Sequence, residues 1–170
     1  MKVPVYSSTI RRKEMDSVLT CLVSEKIGPG EMNQKLSLLL KEVFSIEDSI
    51  VFRSQTNALL AALEMLKIEI GSGVIISALA PAWHYRVLKR AGFNPIVVDV
   101  NPDTALMTKE LIQEALVLGG QVILFPETLG VLPNFDDLLS LNIPIIEDIS
   151  QSAGSSFNSK PVGTFGVFSL

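Results

Sequence analysis

Cysteine and histidine are nearly missing from this sequence, with one of each in 170 residues, Cys21 and His84. A single cysteine excludes an internal disulfide, and with one histidine beside it no protein-only zinc cage is expected. No apolar run reaches the about 18–20 residues that a membrane-crossing helix needs, so no membrane segment is expected. The opening MKVPVYSSTIRRKEMD has no apolar core of the signal-peptide kind, which makes the cytoplasm the default location. Lysine and arginine number 14 against 18 acidic residues and form no cluster, so nucleic acid is not an expected partner. Neither a GxGxxG nor a GxxxxGKS/T pattern occurs, which removes support for dinucleotide and P-loop sites.

What is present is apolar: 48% of the residues are hydrophobic. Parallel strands covered by helices on both faces produce that bias, and so does a surface meant for a partner. The length suits one domain with a sizeable core and is short for two.

Met15, Val18, Leu19 and Leu22 recur at helical spacing, with Cys21 beside them as ordinary helix packing. After the punctuated loop KIGPGEM, a second helix places Met32, Leu36, Leu39, Leu40 and Val43 on one face. From Ser49 onward short β-rich runs alternate with helical segments. The runs are residues 49–53, 73–77, 94–100, 121–126 and 143–148, and the helices fall at about 55–67, 82–91, 108–118 and 134–140. Strand then helix, repeated, predicts right-handed crossovers and an α/β fold of three layers with a mostly parallel sheet.

In such sheets ligands bind at the carboxyl ends of the strands. Those ends are Arg53 to Thr56, Ser77 to His84, Asp99, Pro126-Glu127-Thr128 and Glu147-Asp148. Ser54-Gln55-Thr56-Asn57 opens a helix, where its hydroxyls cap free N–H groups or join them in an anion site. Glu147-Asp148 ends an apolar strand; it is either a partner for a protonated ligand nitrogen or an exposed acid capping the next turn. Trp83-His84-Tyr85 offers rings to stack on a flat ligand. The alternative is a helix that buries Trp83 and turns His84 to solvent. Gly163-Thr164-Phe165-Gly166 is a turn whose meaning depends on its neighbours.

Taken in order, these stations resemble the amino-terminal part of the DegT/DnrJ/StrS family of pyridoxal-phosphate-dependent sugar aminotransferases. The counterparts are Val3-Pro4-Val5, Ile27-Gly28-Pro29-Gly30, Ser54 to Leu59, Ala91 to Asp99, Ile146 to Gln151, and Gly163 to Ser169. The resemblance implies a partial pyridoxal-phosphate-transferase large domain over residues 1–170, without the family's small carboxyl-terminal domain. It implies pyridoxal 5'-phosphate as cofactor and a nucleotide-linked keto sugar as ligand. Gln55 and Thr56 would meet the cofactor phosphate, Asp148 the protonated pyridine nitrogen, Gln151 the phenolic oxygen, and Ser169 the phosphate again.

The departures from the family pattern are specific. Gln55 stands where the family has glycine, and Pro81 stands where the stacking aromatic falls, leaving Trp83 or His84 as substitutes. The segment between Gly166 and Phe168-Ser169 is shorter by about three residues on this alignment. None of the nine lysines occupies the place of the Schiff-base lysine, which the resemblance puts beyond Ser169. The chain by itself is therefore expected to lack a catalytic residue and to be inactive, as a truncated or split aminotransferase. The alternatives are a non-catalytic cofactor-, phosphate- or partner-binding module and an inactive gene relic. A sheet left uncovered also predicts self-association or a complementing chain.

Overall fold

The computed structural model describes residues 8–170, so the Val3-Pro4-Val5 correspondence lies outside the described residues. Five parallel strands form the sheet: β1 (Gly73–Ser77), β2 (Asn94–Val98), β3 (Gly120–Pro126), β4 (Ile145–Asp148) and β7 (Phe168–Ser169), in the order β2-β1-β3-β4-β7. Two further strands, β5 (Ser156–Phe157) and β6 (Lys160–Pro161), pair separately as a hairpin.

Alternation along the strands sorts the core into two layers. Val74, Ile76, Val122, Leu124 and Ile146 face one way, onto α3 (Gln55–Met65) and α4 (Ala82–Arg90). Ile75, Ile123, Phe125 and Ile145 face the other way, onto α5 (Lys109–Val117) and α6 (Phe135–Leu139). Both faces being covered, all five residues of β1 are buried, which is why the run reads as continuously apolar. Leu59, Leu63, Leu88 and Ile112 are fully buried, and each such side chain contributes about 1.5–3 kcal/mol. The three-layer α/β architecture is as the sequence predicts.

Side-chain caps start several of the helices. Ser54 accepts from the Asn57 N–H at 3.3 Å before α3, Thr108 from Leu111 before α5, and Asn134 from Asp136 before α6. Gly73 is required at the start of β1, because a Cβ there would strike the Gly119 carbonyl where β3 enters the sheet.

Residues 49–53 are not a strand. The sheet's edges are β2 and β7, and this segment forms no ladder with either; its Ser49 instead exchanges hydrogen bonds with Ser37. Ile50, Val51 and Phe52 stay exposed. A β-rich run becomes a strand only when another backbone supplies the ladder. The 156–161 hairpin and β7 are too short to leave a periodic signal. The hairpin turns at Asn158 and Ser159, both with positive φ (49° and 63°), as a two-residue turn of the twisted kind requires.

The helices α1 (Arg12–Val23) and α2 (Glu31–Phe44) form where the stripes predict and bury no residue. Met15, Val18, Leu19 and Leu22 on the first, and Met32, Leu36, Leu39 and Val43 on the second, are each 43–65% exposed. None of the helices in the described residues is long and apolar enough to cross a membrane.

Candidate functional site

Three acids meet at the carboxyl ends of β3 and β4, and their environments differ. Glu147 is fully buried, and its oxygens accept backbone N–H groups from Gly163 (2.8 Å), Phe165 (2.8 Å) and Gly166. The Gly-Thr-Phe-Gly loop is thus a cradle for this carboxylate, and Phe165 seals it by stacking on Phe135 of α6 at 3.9 Å. Gly166 has to be glycine here, because a Cβ would collide with the Ile145 carbonyl oxygen.

Asp148 follows Glu147 along the strand and therefore points to the opposite face. Its Oδ1 accepts from the Ser150 hydroxyl (2.6 Å) and N–H (3.2 Å), and its Oδ2 lies 2.9 Å from His84 Nε2. Burial alone would raise its proton affinity, but the hydrogen bonds from His84 and Ser150 outweigh burial and hold the carboxyl below its usual range. Asp148 is the buried, ionised acceptor that the strand-end reading requires.

Glu127, one residue beyond β3, behaves in the opposite sense. Its N–H donates to the Asp148 carbonyl, its Oε2 accepts from the Ser152 hydroxyl, and its buried Oε1 has no partner among the described residues. Burial, reinforced by the neighbouring Glu147 and Asp148 charges and opposed by Ser152, pushes this carboxyl up to about 8. The strand-end rule led to Glu127, but only tertiary burial sets it apart from an ordinary surface acid.

The remaining predicted residues surround this cluster unevenly. Gln55 is exposed and Thr56 half-buried in the first turn of α3, whose earliest intrahelical bond is from Ala58 to Ser54, leaving the Gln55 and Thr56 N–H groups outside the helix ladder. Thr56 lines a cleft of about 300 Å³ between α3 and α4 with Leu60, Val87 and the guanidinium-bearing Arg86 and Arg90. Arg86 and Arg90 carry no motif signal and were not predicted. Ser169 lies half-buried on β7 opposite Glu147 in register. Gln151 is exposed, and its Oε1 accepts from the Leu129 N–H at 2.9 Å, tying the loops after β3 and β4 together.

The aromatic cluster is corrected. His84 is fully buried and Trp83 half-buried, the reverse of a helix that buries Trp83 and exposes His84. The inward stripe of α4 is His84, Val87 and Leu88, a spacing that carries the histidine under the helix. Trp83 packs on the α3–α4 side of the core, with its ring edge-on to His84 at 4.3 Å. His84 is therefore engaged with Asp148 and is not a stacking ring.

A parallel sheet with helices on both faces and a buried, ionised acid at a strand end matches the fold of pyridoxal-phosphate-type transferases. The chain belongs to the DegT/DnrJ/EryC1/StrS aminotransferase family, whose model matches residues 8–170. It is 29% identical over 172 aligned positions to the GDP-perosamine synthase of Escherichia coli O157:H7, covering 98% of this chain and 47% of that protein. Among solved structures it resembles a Streptococcus pneumoniae protein designated a sugar aminotransferase, in its pyridoxal-phosphate form (TM-score 0.92, 23% identity, 99% of this chain and 48% of that one). It also resembles the Escherichia coli GDP-4-keto-6-deoxy-D-mannose-3-dehydratase with bound hydrated pyridoxal phosphate (TM-score 0.88, 26% identity, 97% and 45%). The chain spans about half the length of the curated relatives it matches.

The residues fit the cofactor at its two charged ends. Asp148 retains acceptor capacity beyond its three donors, since a carboxylate has about four lone-pair sites. The first turn of α3 offers free N–H groups and a hydroxyl to an anion. For the ring face, Pro81 at the start of α4 supplies no aromatic plane.

Proposed function

We propose that these residues form the cofactor-holding floor of an aminotransferase acting on a nucleotide-linked keto sugar, and that the 170 residues do not transaminate by themselves. The observation that carries the reading is Asp148, buried at the carboxyl end of β4 and held ionised by three donors from two elements. A pyridoxal-phosphate ring, when bound with its nitrogen protonated, supplies an electron sink for carbanion chemistry. Asp148 holds the proton at that nitrogen. Thr56, with the Gln55 and Thr56 N–H groups, binds the phosphate at the positive end of α3; Ser169 adds a hydroxyl there, and Gln151 orients the phenolic oxygen from its loop.

Inactivity follows from the missing nucleophile. Transamination on this cofactor needs a lysine that both attacks the carbonyl and moves a proton. Lys160 sits instead 4.5 Å over the Phe165 ring, and Lys89 is exposed near the end of α4. The names of the two Escherichia coli relatives, both of GDP-linked sugars, support a nucleotide sugar as ligand.

Calorimetric titration with pyridoxal phosphate and with pyridoxine phosphate, which lacks the aldehyde, tests the reading. Both are expected to bind equally, and Asp148→Ala should weaken both about 10- to 100-fold, as losing a charge-assisted hydrogen bond of ~1.5–3 kcal/mol implies. A chain that binds neither ligand refutes the cofactor floor. That result favours the second reading, a module without cofactor, for which Gln55 in place of glycine and Pro81 in place of an aromatic already speak.

The uncovered sheet expected from the sequence is not there, since helices cover both faces; the exposed apolar stripes lie instead on α1 and α2. They are the faces that a second copy or a complementing chain covers, since contiguous apolar surface of this kind is unusual on a monomer. Light scattering on the purified chain is expected to give a mass above that of one chain; a monodisperse monomer at high concentration contradicts it.

A further inference from the structure

His84 is the only histidine, and so far it has entered only as one of the three donors that keep Asp148 ionised. It is fully buried beside Val87 and Leu88, where an aliphatic residue would pack without a polar group to satisfy. Its Nε2 reaches 2.9 Å to Asp148 Oδ2, joining α4 to the end of β4 across 64 residues of sequence. A carboxylate only accepts, so the hydrogen facing Asp148 is on Nε2; Nδ1 has no partner among the described residues.

Ser150 restrains only Oδ1 of Asp148, through its hydroxyl and its N–H, and both come from the same residue. Among the described residues His84 is the sole side chain from another element that fixes Oδ2. The other titratable groups packed near this carboxylate are acids: Glu127 beyond β3, whose own carboxyl is pushed up to about 8, and Glu147 on the same strand. Beside them His84 is the basic donor.

We infer that His84 is the positioning residue of the site: its Nε2–H and the two Ser150 donors clamp Asp148 in one orientation, as the acceptor for a protonated ring nitrogen. The clamp itself is a property of this chain; its use for a ring nitrogen rests on the cofactor reading above. His84→Phe keeps a buried ring and removes the donor. His84→Gln removes the ring and returns an N–H close to the Nε2 position.

The experiment follows the Asp148 carboxyl by carbon NMR across pH in the 170-residue chain and both variants. It also measures the affinity for pyridoxine phosphate and for its analogue with carbon in place of the ring nitrogen. In His84→Phe the Asp148 midpoint is expected to rise by about one unit, and pyridoxine phosphate to bind about tenfold more weakly. The nitrogen-free analogue should bind both proteins alike, which a general loosening of the site would not produce. His84→Gln should restore most of both effects.

An Asp148 midpoint unchanged in His84→Phe overturns the clamp, whatever binds. A midpoint that depends on His84 in a chain that binds no pyridoxine phosphate upholds the clamp and refutes the cofactor reading alone. Should His84→Phe fail to fold, the nitrogen spectrum of the single imidazole in the unaltered chain decides. Hydrogen on Nε2 supports the clamp, and hydrogen on Nδ1 alone rules it out.

Discussion

Glu147→Ala is expected to unfold the last part of the chain, from the 163–166 loop through β7. The carboxylate accepts three backbone N–H groups, from Gly163, Phe165 and Gly166, in a fully buried setting. Removing it leaves those donors without an acceptor, at about 1–3 kcal/mol each. The sum rivals the ~5–15 kcal/mol that holds a whole domain together. Losing the loop also frees Phe165 from Phe135, and frees β7, whose ladder among the described residues is to Ile146 and Glu147. Glu147→Gln keeps one acceptor oxygen and the volume, so it should fall between. Hydrogen exchange at Gly163, Phe165 and Gly166, with urea denaturation of each variant, checks the order. Protection of those amides undiminished in the alanine variant would show that the loop closes without the carboxylate.

Glu127→Gln should stabilise the chain at neutral pH and leave it unchanged in acid. In the folded chain this carboxyl keeps its proton up to about 8, and in the unfolded chain it titrates near the ordinary 4.5. Between those values the folded state binds the extra proton, so the contribution of Glu127, fully present below 4.5, is lost as pH rises toward 8. The physical cause is that burial beside Glu147 and Asp148 keeps the folded carboxyl protonated, while the unfolded chain gains by ionising it. The amide has no charge to bury and still accepts from Ser152. Its advantage over the unaltered chain should be near zero below pH 4.5 and grow to roughly 3 kcal/mol by pH 7. Asp148 acts in the other direction, its carboxyl being depressed, so its contribution is lost as pH falls. Because Asp148 is common to both proteins, the difference between their stability curves isolates Glu127. Parallel curves from pH 4 to 8 would count against a protonated Glu127.

The order of elements was legible from residue spacing. Four of the five β-rich runs became strands and all four helices after Ser49 formed, because periods of 2 and 3.6 are local properties of the chain. The run at 49–53 misled because its fate depends on a neighbour, and no neighbour among the described residues pairs with it. The stations of the family pattern likewise needed only order and spacing. They pointed to Asp148 and to the start of α3 before any contact was known.

What the acids and the histidine do was decided by the tertiary structure. Glu147 and Asp148 are adjacent and chemically alike, yet the pleat sends one to the 163–166 loop and the other to α4. Glu127 reads as a polar strand end until Ser152 and two further acids close around it. His84 follows Trp83 by one residue, and only the packing of α4 on the sheet settles which ring goes inside. By itself the sequence determined the repeating strand and helix, the family and the strand ends at which a site is expected, because these rest on local periodicity and order. Which carboxylate is ionised, which is protonated and which is tied to backbone depends on contacts up to 64 residues apart. Those exist only once the strand order is set, since burial and hydrogen bonding, not residue type, fix where a proton resides.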